Sequence, residues 1–140
     1  MTRTKRAGLL LVVTLALQPI AAQAWWAWNR HEVLPVQEGV WEVVSRVGSS
    51  PQDYWCGIGD FAIRQLRTGA AQRIYIWEGV GPSVNRPQKR SVKFALTPPP
   101  GADTSSSYSL SIKRPGENIS ANLARSYCYN HFADPFYLRP

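Results

Sequence analysis

The two cysteines of the chain, Cys56 and Cys128, constrain the fold more than any other sequence feature. Two cysteines allow one pairing, and a bond between residues 72 positions apart ties an early segment to the far end of the chain. The chain-entropy model assigns such a loop about 4 kcal/mol, which is a large share of the stability of a small domain. The alternative is a reactive thiol, but no C-x-x-C motif is present. We therefore predict a structural disulfide.

The first 24 residues have the three parts of a secretory signal peptide. They begin with basic residues, continue with an apolar run over residues 7–17 and end in the small-residue sequence Ala22-Gln23-Ala24. The run is shorter than the about 20 apolar residues that span a bilayer. Export to an oxidising compartment favours disulfide formation. The alternative is an uncleaved anchor, whose membrane interface would hold Trp25, Trp26 and Trp28.

Cleavage after residue 24 of 140 leaves 116 residues, 25–140, which suit a single small secreted domain. Three of the 16 Lys and Arg and none of the 9 Asp and Glu lie in the signal, so the domain carries +4 rather than +7. That charge is too low to predict nucleic-acid binding. It suits an anionic envelope polymer or an acidic protein surface. We predict no cofactor, no metal and no stable membrane span after cleavage.

A helix is predicted from residue 51 to residue 68. Ser50 can cap it, Pro51 suits its first position, and Asp53 completes a capping box. Gly69 is a suitable terminator. Apolar residues then recur at close to helical period, at Trp55, Ile58, Ala62, Ile63 and Leu66.

Gly57 and Gly59 directly follow Cys56 in this helix. Each costs about 1 kcal/mol in a helix interior, so they predict that another part of the backbone approaches closely, as a disulfide at Cys56 also requires. A glycine-rich phosphate loop is the other interpretation. It needs a following Lys-Ser or Lys-Thr, and neither is present.

Alternating apolar residues predict strands at 40–47, 73–77, 91–96 and 107–113. Residues 119–128 are ambiguous, because Ile119, Leu123 and Tyr127 fit helical spacing while the whole segment also alternates. We favour a strand there, since it would continue a meander; a helix over the same residues is the alternative. As a strand, the segment would need a bulge near Arg125, or a helix packed on its small-residue face, to accommodate Cys128. The predicted fold is α+β, with one helix packed on a four- to five-stranded antiparallel sheet and one disulfide.

A helix followed by an antiparallel meander resembles the cystatin-like layout in outline, although the central Q-x-V-x-G motif of cystatins is missing. The segments "DYWCGIGDFAIRQL", "QRIYIWEGVGPSV" and "YCY" are similar to a group of short exported bacterial proteins of unknown function. This resemblance implies export and a fold with paired cysteines. It implies no activity, and fold analogy by itself would not supply one.

Candidate catalytic residues are few. His31 stands beside Glu32, and His131 stands three residues before Asp134. No G-x-S-x-G elbow is present, and two histidines about a hundred residues apart are a weak metal-binding set. We predict no catalytic residue. The alternative is a small cell-envelope hydrolase with an unrecognised site of histidine and carboxylate.

Two features favour binding. The segment 79–93 contains no acidic residue and four basic ones, which are Arg86, Lys89, Arg90 and Lys93. As a loop it would form a positive patch for an anionic ligand, or be simply a solvated loop. Tyr75 and Trp77 would form a stacking surface if they face outward, and otherwise are core residues. The sequence thus predicts a periplasmic or secreted, non-enzymatic binding or accessory domain.

Overall fold

A computed structural model describes residues 23–107 and 110–129, which form an antiparallel six-stranded sheet with two helices. The predicted α+β class is confirmed, with six strands instead of four or five. The sheet order is β1-β2-β3-β5-β4-β6. The elements are β1 Trp25–Trp26, β2 Glu32–Gln37, β3 Val40–Val44, α1 Pro51–Arg64, β4 Arg73–Pro82, β5 Arg90–Ala95, β6 Asn118–Ser120 and α2 Ala121–Ser126. The predicted signal peptide lies outside the described residues, except for its last two positions.

Strands β1 and β2 were not predicted from the sequence. β1 is two residues long, too short to show a pattern. β2 contains Pro35, which cannot donate to a strand ladder, and the pairing with β3 shifts register between Pro35 and Gln37. Gly39 makes the turn into β3 with a φ of 73°, in the left-handed region that glycine enters freely.

Helix α1 begins as predicted and ends four residues early. The Asp53 carboxylate accepts hydrogen bonds from the Ser50 backbone N–H (2.7 Å) and the Ser50 hydroxyl (2.9 Å), so the predicted capping box is present. Regular helix ends at Arg64. The Thr68 N–H still reaches back to the carbonyl of Ala62 at 3.0 Å, which closes a wider final turn.

The buried face of α1 packs on one face of the sheet. Trp55, fully buried, meets Phe94 of β5 edge to face, with ring centroids 5.0 Å apart. Each fully buried aliphatic or Phe side chain stabilises the fold by about 1.5–3 kcal/mol. This core includes Val43, Trp55, Ile58, Ala62, Ile74, Ile76, Val92 and Phe94.

The strand predicted for 119–128 is wrong beyond Ser120. β6 ends there, and the Ser120 hydroxyl accepts a hydrogen bond from the Leu123 N–H at 3.2 Å, capping α2. Ala121 and Ala124 are buried on the side of α2 that faces α1. Helical spacing brings these two small residues together, whereas strand alternation would have placed them on opposite faces.

The strand predicted at 107–113 is also wrong for the described part, residues 107 and 110–113; residues 108 and 109 lie outside the described residues. The edge of β4 is instead occupied by a later segment: Ile74 pairs with Ile119, and the Ile76 N–H donates to Glu117 at 2.8 Å. The carbonyl of Ile112 accepts one bond, from Val80 at 2.8 Å. The alternating pattern therefore belongs to a segment whose apolar residues pack against the core but whose backbone does not pair as a strand.

The disulfide between Cys56 and Cys128 is confirmed, with an S–S distance of 2.12 Å and both residues buried. It joins the middle of α1 to the residues just after α2. A Cβ on Gly59 would lie 2.7 Å from the Ala124 carbonyl carbon, so the predicted close approach of backbone at Gly59 is confirmed. At Gly57 the neighbour is a Val43 side chain, at 2.8 Å.

Neither helix in the described part of the chain is long and apolar enough to cross a membrane.

Candidate functional site

Three chain connections meet at the end of the sheet where β2 begins, β3 ends and β5 begins, and they enclose a cleft. The cleft consists of two adjoining depressions of about 540 and 510 Å³, both within the range of about 300–1,000 Å³ usual for ligand sites. Ser45, Arg46 and Lys89 line both depressions. We call the whole the basic cleft; its lining is completed by Trp26, Arg30, Glu32, Val44, Val47, Gln88 and Arg90.

One end of the basic cleft is aromatic. Trp26 of β1 and Glu32 of β2 are partners across the strand pair, so their side chains stand side by side on one face. The Trp26 side chain is 59% exposed, whereas Trp25 packs against Phe61 with ring centroids 5.3 Å apart. Trp26 therefore offers an open indole surface at this end.

Arg30 reaches the aromatic end from the turn between β1 and β2. The turn is closed by the Arg30 N–H bonding to the Ala27 carbonyl at 2.8 Å and the Ala27 N–H to the His31 carbonyl at 3.0 Å. Arg30 has a φ of 61°, the left-handed position of a three-residue hairpin loop, where glycine is usual. An L-residue there costs roughly 1 kcal/mol, so backbone geometry alone does not explain the arginine.

The other end of the basic cleft is cationic. Lys89 and Arg90 are exposed where the loop after β4 enters β5, and the Ser83 N–H closes that loop by donating to the Lys89 carbonyl at 2.9 Å. Arg46 approaches from the β3–α1 connection, where its guanidinium donates to the Asn29 carbonyl at 3.1 Å. Three separate connections thus bring cations to one concave surface.

The structure divides the four basic residues predicted from the sequence. Lys89 and Arg90 line the basic cleft. Arg86 instead makes two parallel bonds to the Glu32 carboxylate, at 3.0 and 3.1 Å, and Glu32 raises the pKa of Arg86. Lys93 lies within β5, nearly buried, with its Nζ 2.8 Å from Glu78. The role of all four in binding stays a prediction, but the charges of Arg86 and Lys93 already have partners.

Sequence reasoning missed Arg30 and Arg46, which come from connections distant in sequence from 79–93. The signal that could have found Arg30 was weak: a short polar stretch, Asn29-Arg30, between the aromatic residues and an apolar strand. Arg46 was assigned to a strand that in fact ends at Val44. The turn that follows, with Gly48 at a φ of 77°, is what places Arg46 at the cleft.

A buried carboxylate, Glu42, fixes the loop that brings Lys89 and Arg90 to the cleft. It accepts hydrogen bonds from the hydroxyls of Ser83 (2.8 Å) and Ser91 (2.7 Å) and from the backbone N–H groups of Val84 (3.0 Å) and Asn85 (2.9 Å). Burial by itself would raise the pKa of Glu42, but these bonds outweigh it and the pKa is lowered. The loop is therefore held by an ionised, fully satisfied group.

The predicted aromatic residues are dispersed. Tyr75 and Trp77 are half-buried on β4 and do not line the basic cleft, so their stacking role stays a prediction. Trp28 is 55% exposed and lies beside Tyr129, with ring centroids 5.9 Å apart. Of these aromatic residues, Trp26 is the one that lines the cleft.

His31 is buried behind the cleft. Its Nε2 lies 2.7 Å from the Ser49 hydroxyl and its Nδ1 lies 3.4 Å from the Asn29 carbonyl. Burial lowers the pKa of His31, and the charge of Asp53 offsets part of that effect. His31 thus joins the two turns that carry Arg30 and Arg46. The other predicted pair, at positions 131 and 134, lies outside the described residues.

No protein-family model matches the chain, and no curated protein or solved structure matches it either. The resemblances drawn from the sequence therefore stay predictions. The function has to be argued from the chemistry of the basic cleft.

Proposed function

We propose that the protein is a non-enzymatic binding domain of the periplasm or the extracellular space, and that its basic cleft holds an anionic ligand such as an envelope polymer. One observation carries the proposal: four cationic side chains from three connections converge on one concave surface. They are Arg30, Arg46, Lys89 and Arg90. Glu32, the carboxylate that lines the cleft, is already bound by Arg86.

Three arginines elsewhere in the described residues give the contrast. Arg64 and Arg125 lie 2.9 and 3.3 Å from Asp60, and Arg114 lies 2.9 Å from Glu117. Cations gathered in a concave site repel one another and focus a positive field into it. A bound anion would relieve that repulsion and form charge-assisted hydrogen bonds.

The compartment is part of the proposal. A disulfide is typical of proteins in oxidising compartments, and the predicted signal peptide agrees with export. Mass measurement on protein from the cell envelope tests both. We expect a chain beginning at Trp25 that gains two hydrogens on reduction. A chain that keeps its first 24 residues, or that has free thiols before reduction, would contradict the assignment.

The binding test compares two double variants with the same loss of charge. Lys89→Ala with Arg90→Ala removes cations from the cleft. Arg67→Ala with Lys113→Ala removes exposed cations that do not line it. The probes are polyphosphate and dextran sulfate, two anionic polymers with unlike backbones, in calorimetric titrations at low and physiological salt.

We expect the wild type to bind at least one probe, less tightly as salt rises. The cleft variant should lose about tenfold or more in affinity, since each lost charged hydrogen bond removes roughly 1.5–3 kcal/mol. The control variant should stay within about twofold. Binding of neither probe, or equal losses in both variants, would refute an anion site in the cleft.

One contact favours the alternative, a small hydrolase: the Ser49 hydroxyl lies 2.7 Å from Nε2 of His31. A serine so placed can be activated by a neutral imidazole. Here the Ser49 oxygen also accepts from the Arg46 N–H at 2.8 Å, which suits a structural link between turns. A fluorophosphonate probe decides the matter. Labelling of the wild type that Ser49→Ala abolishes would establish the hydrolase and displace the binding proposal.

A further inference from the structure

We infer that the ligand of the basic cleft is an acidic oligosaccharide, whose ring packs on Trp26 while its acid groups meet Arg46 and Lys89. The inference rests on the proposed function and narrows it to a class of ligand. It starts from the division of the cleft into an aromatic end and a cationic end, which share Ser45, Arg46 and Lys89. A ligand that fills both ends needs a flat apolar face and a negative charge in the same molecule.

Trp26 supplies the partner for the flat face. It is 59% exposed in a concave site, where an indole presents a large apolar surface with little side-chain entropy to lose. The C–H face of a sugar ring is flat and apolar enough to pack on it. A simple inorganic anion gains nothing from such a neighbour.

Glu32, beside Trp26, supplies acceptors for hydroxyl groups. Its carboxylate has about four lone-pair sites, and Arg86 occupies one on each oxygen through the bonds at 3.0 and 3.1 Å. The remaining sites favour a hydroxyl donor and disfavour a second anion. An aromatic face next to a free acceptor therefore selects a polyol at this end of the cleft.

Arg46, Lys89 and Arg90 continue from the same site toward the cationic end, where Gln88 adds an amide. A carboxylate or sulfate on the same or the next sugar unit would meet these donors. Each depression has the volume of an ordinary small-ligand site. The array therefore suits a short stretch of a charged polysaccharide chain.

The experiment measures binding of the mature protein to matched probes by calorimetry and by tryptophan fluorescence. The acidic sugars are trigalacturonic acid and a heparin-derived tetrasaccharide. Galactotriose is the neutral match, and tripolyphosphate, triglutamate and uridine diphosphate are anions without an oligosaccharide chain. The variants are Trp26→Leu and, as control, Trp28→Leu, a second exposed tryptophan that lies outside the cleft.

At least one acidic sugar should bind tenfold or more tightly than galactotriose. Trp26→Leu should weaken that binding roughly three- to tenfold, the range expected for losing an aromatic contact, while Trp28→Leu leaves it unchanged. If tripolyphosphate, triglutamate or uridine diphosphate binds as tightly as the sugars, or if Trp26→Leu has no effect, the oligosaccharide inference fails and the anion site stands. If no anion binds, both fail.

Discussion

Arginine and tryptophan occur together in two regions of this molecule, in opposite electrostatic states. The first region is the junction of α1 and α2. There the buried Asp60 lies 2.9 Å from Arg64 and 3.3 Å from Arg125, and it accepts a hydrogen bond from the backbone N–H of Trp28 at 2.8 Å. The disulfide lies within the same junction. Both arginines of the junction thus have a carboxylate partner, the Asp60 that they share, so the junction is built to hold the fold together.

The basic cleft is the second region, where four cations surround one carboxylate, Glu32, that Arg86 already binds. The turn between β1 and β2 serves both regions: its Trp28 N–H bonds to Asp60, while its Arg30 lines the cleft. Residue type therefore does not distinguish a structural arginine from a binding one. The two kinds of arginine differ in whether a carboxylate lies within reach, and that is known only once the fold is known.

Removing the disulfide with Cys56→Ala and Cys128→Ala should have the largest effect on the junction. The 72-residue loop predicts a loss of about 4 kcal/mol in the free energy of unfolding. Urea titration followed by tryptophan fluorescence measures it. The cleft should still bind the anionic polymer that the wild type binds, in the fraction that remains folded at low temperature. Loss of binding in folded protein would show that the two regions are not separable.

Glu42→Gln should have the next largest effect, and on the cleft. The amide replaces an anion that accepts bonds from Ser83, Ser91 and two backbone N–H groups, so we expect a loss of about 3 kcal/mol. Because the folded pKa of Glu42 is lowered, its stabilisation is present above the unfolded value of about 4.3 and is lost as pH falls toward the folded pKa.

The control for that variant is Glu38→Gln, at the exposed turn between β2 and β3. Thermal melts between pH 3 and pH 7 should show a shallower acid loss for Glu42→Gln than for the wild type, and no change in slope for the control. Parallel curves for all three proteins would mean that Glu42 is not the ionised group holding the loop.

Gly59→Ala should weaken the junction by a smaller amount. Its new Cβ would press on the backbone of Ala124 and Arg125, and overpacking of this kind costs about 1–3 kcal/mol. Gly69→Ala is the matched control, because a Cβ there meets nothing within 4 Å. A Gly59→Ala protein as stable as the wild type in urea would contradict the close contact between the helices.

The sequence predicted the disulfide and the start of α1 better than it predicted α2 or the cleft, for physical reasons. Cysteine pairing, the cap at Ser50 and the glycines beside Cys56 are local signals, and each implies one geometry. The strand predictions for 107–113 and 119–128 failed because alternation indicates that a segment can form a strand, but not which segment pairs with the free edge of β4. Which segment pairs there depends on how all the strands of the sheet are arranged.

The cleft was predicted in part. Lys89 and Arg90 stood out as members of one charged segment, but two of their neighbours in sequence, Arg86 and Lys93, turned out to be bound by Glu32 and Glu78. Trp26 belonged to a cluster of tryptophans with no sign of which one lines a cleft. A site assembled from three connections becomes visible only when β2, β3 and β5 are placed side by side.

Arg30→Gly should change stability least and separates the two regions most cleanly. Arg30 and Arg67 both have left-handed backbones, with φ of 61° and 58°, and only the first lines the basic cleft. Glycine removes one charge at either position and relieves the strain of a left-handed L-residue, while the added freedom of the unfolded chain offsets that gain. Both variants should therefore unfold within about 0.5 kcal/mol of the wild type. Arg30→Gly should bind the anionic polymer that the wild type binds roughly tenfold more weakly, and Arg67→Gly should bind it normally. Equal affinities for the two variants would remove Arg30 from the site and leave its strained backbone unexplained.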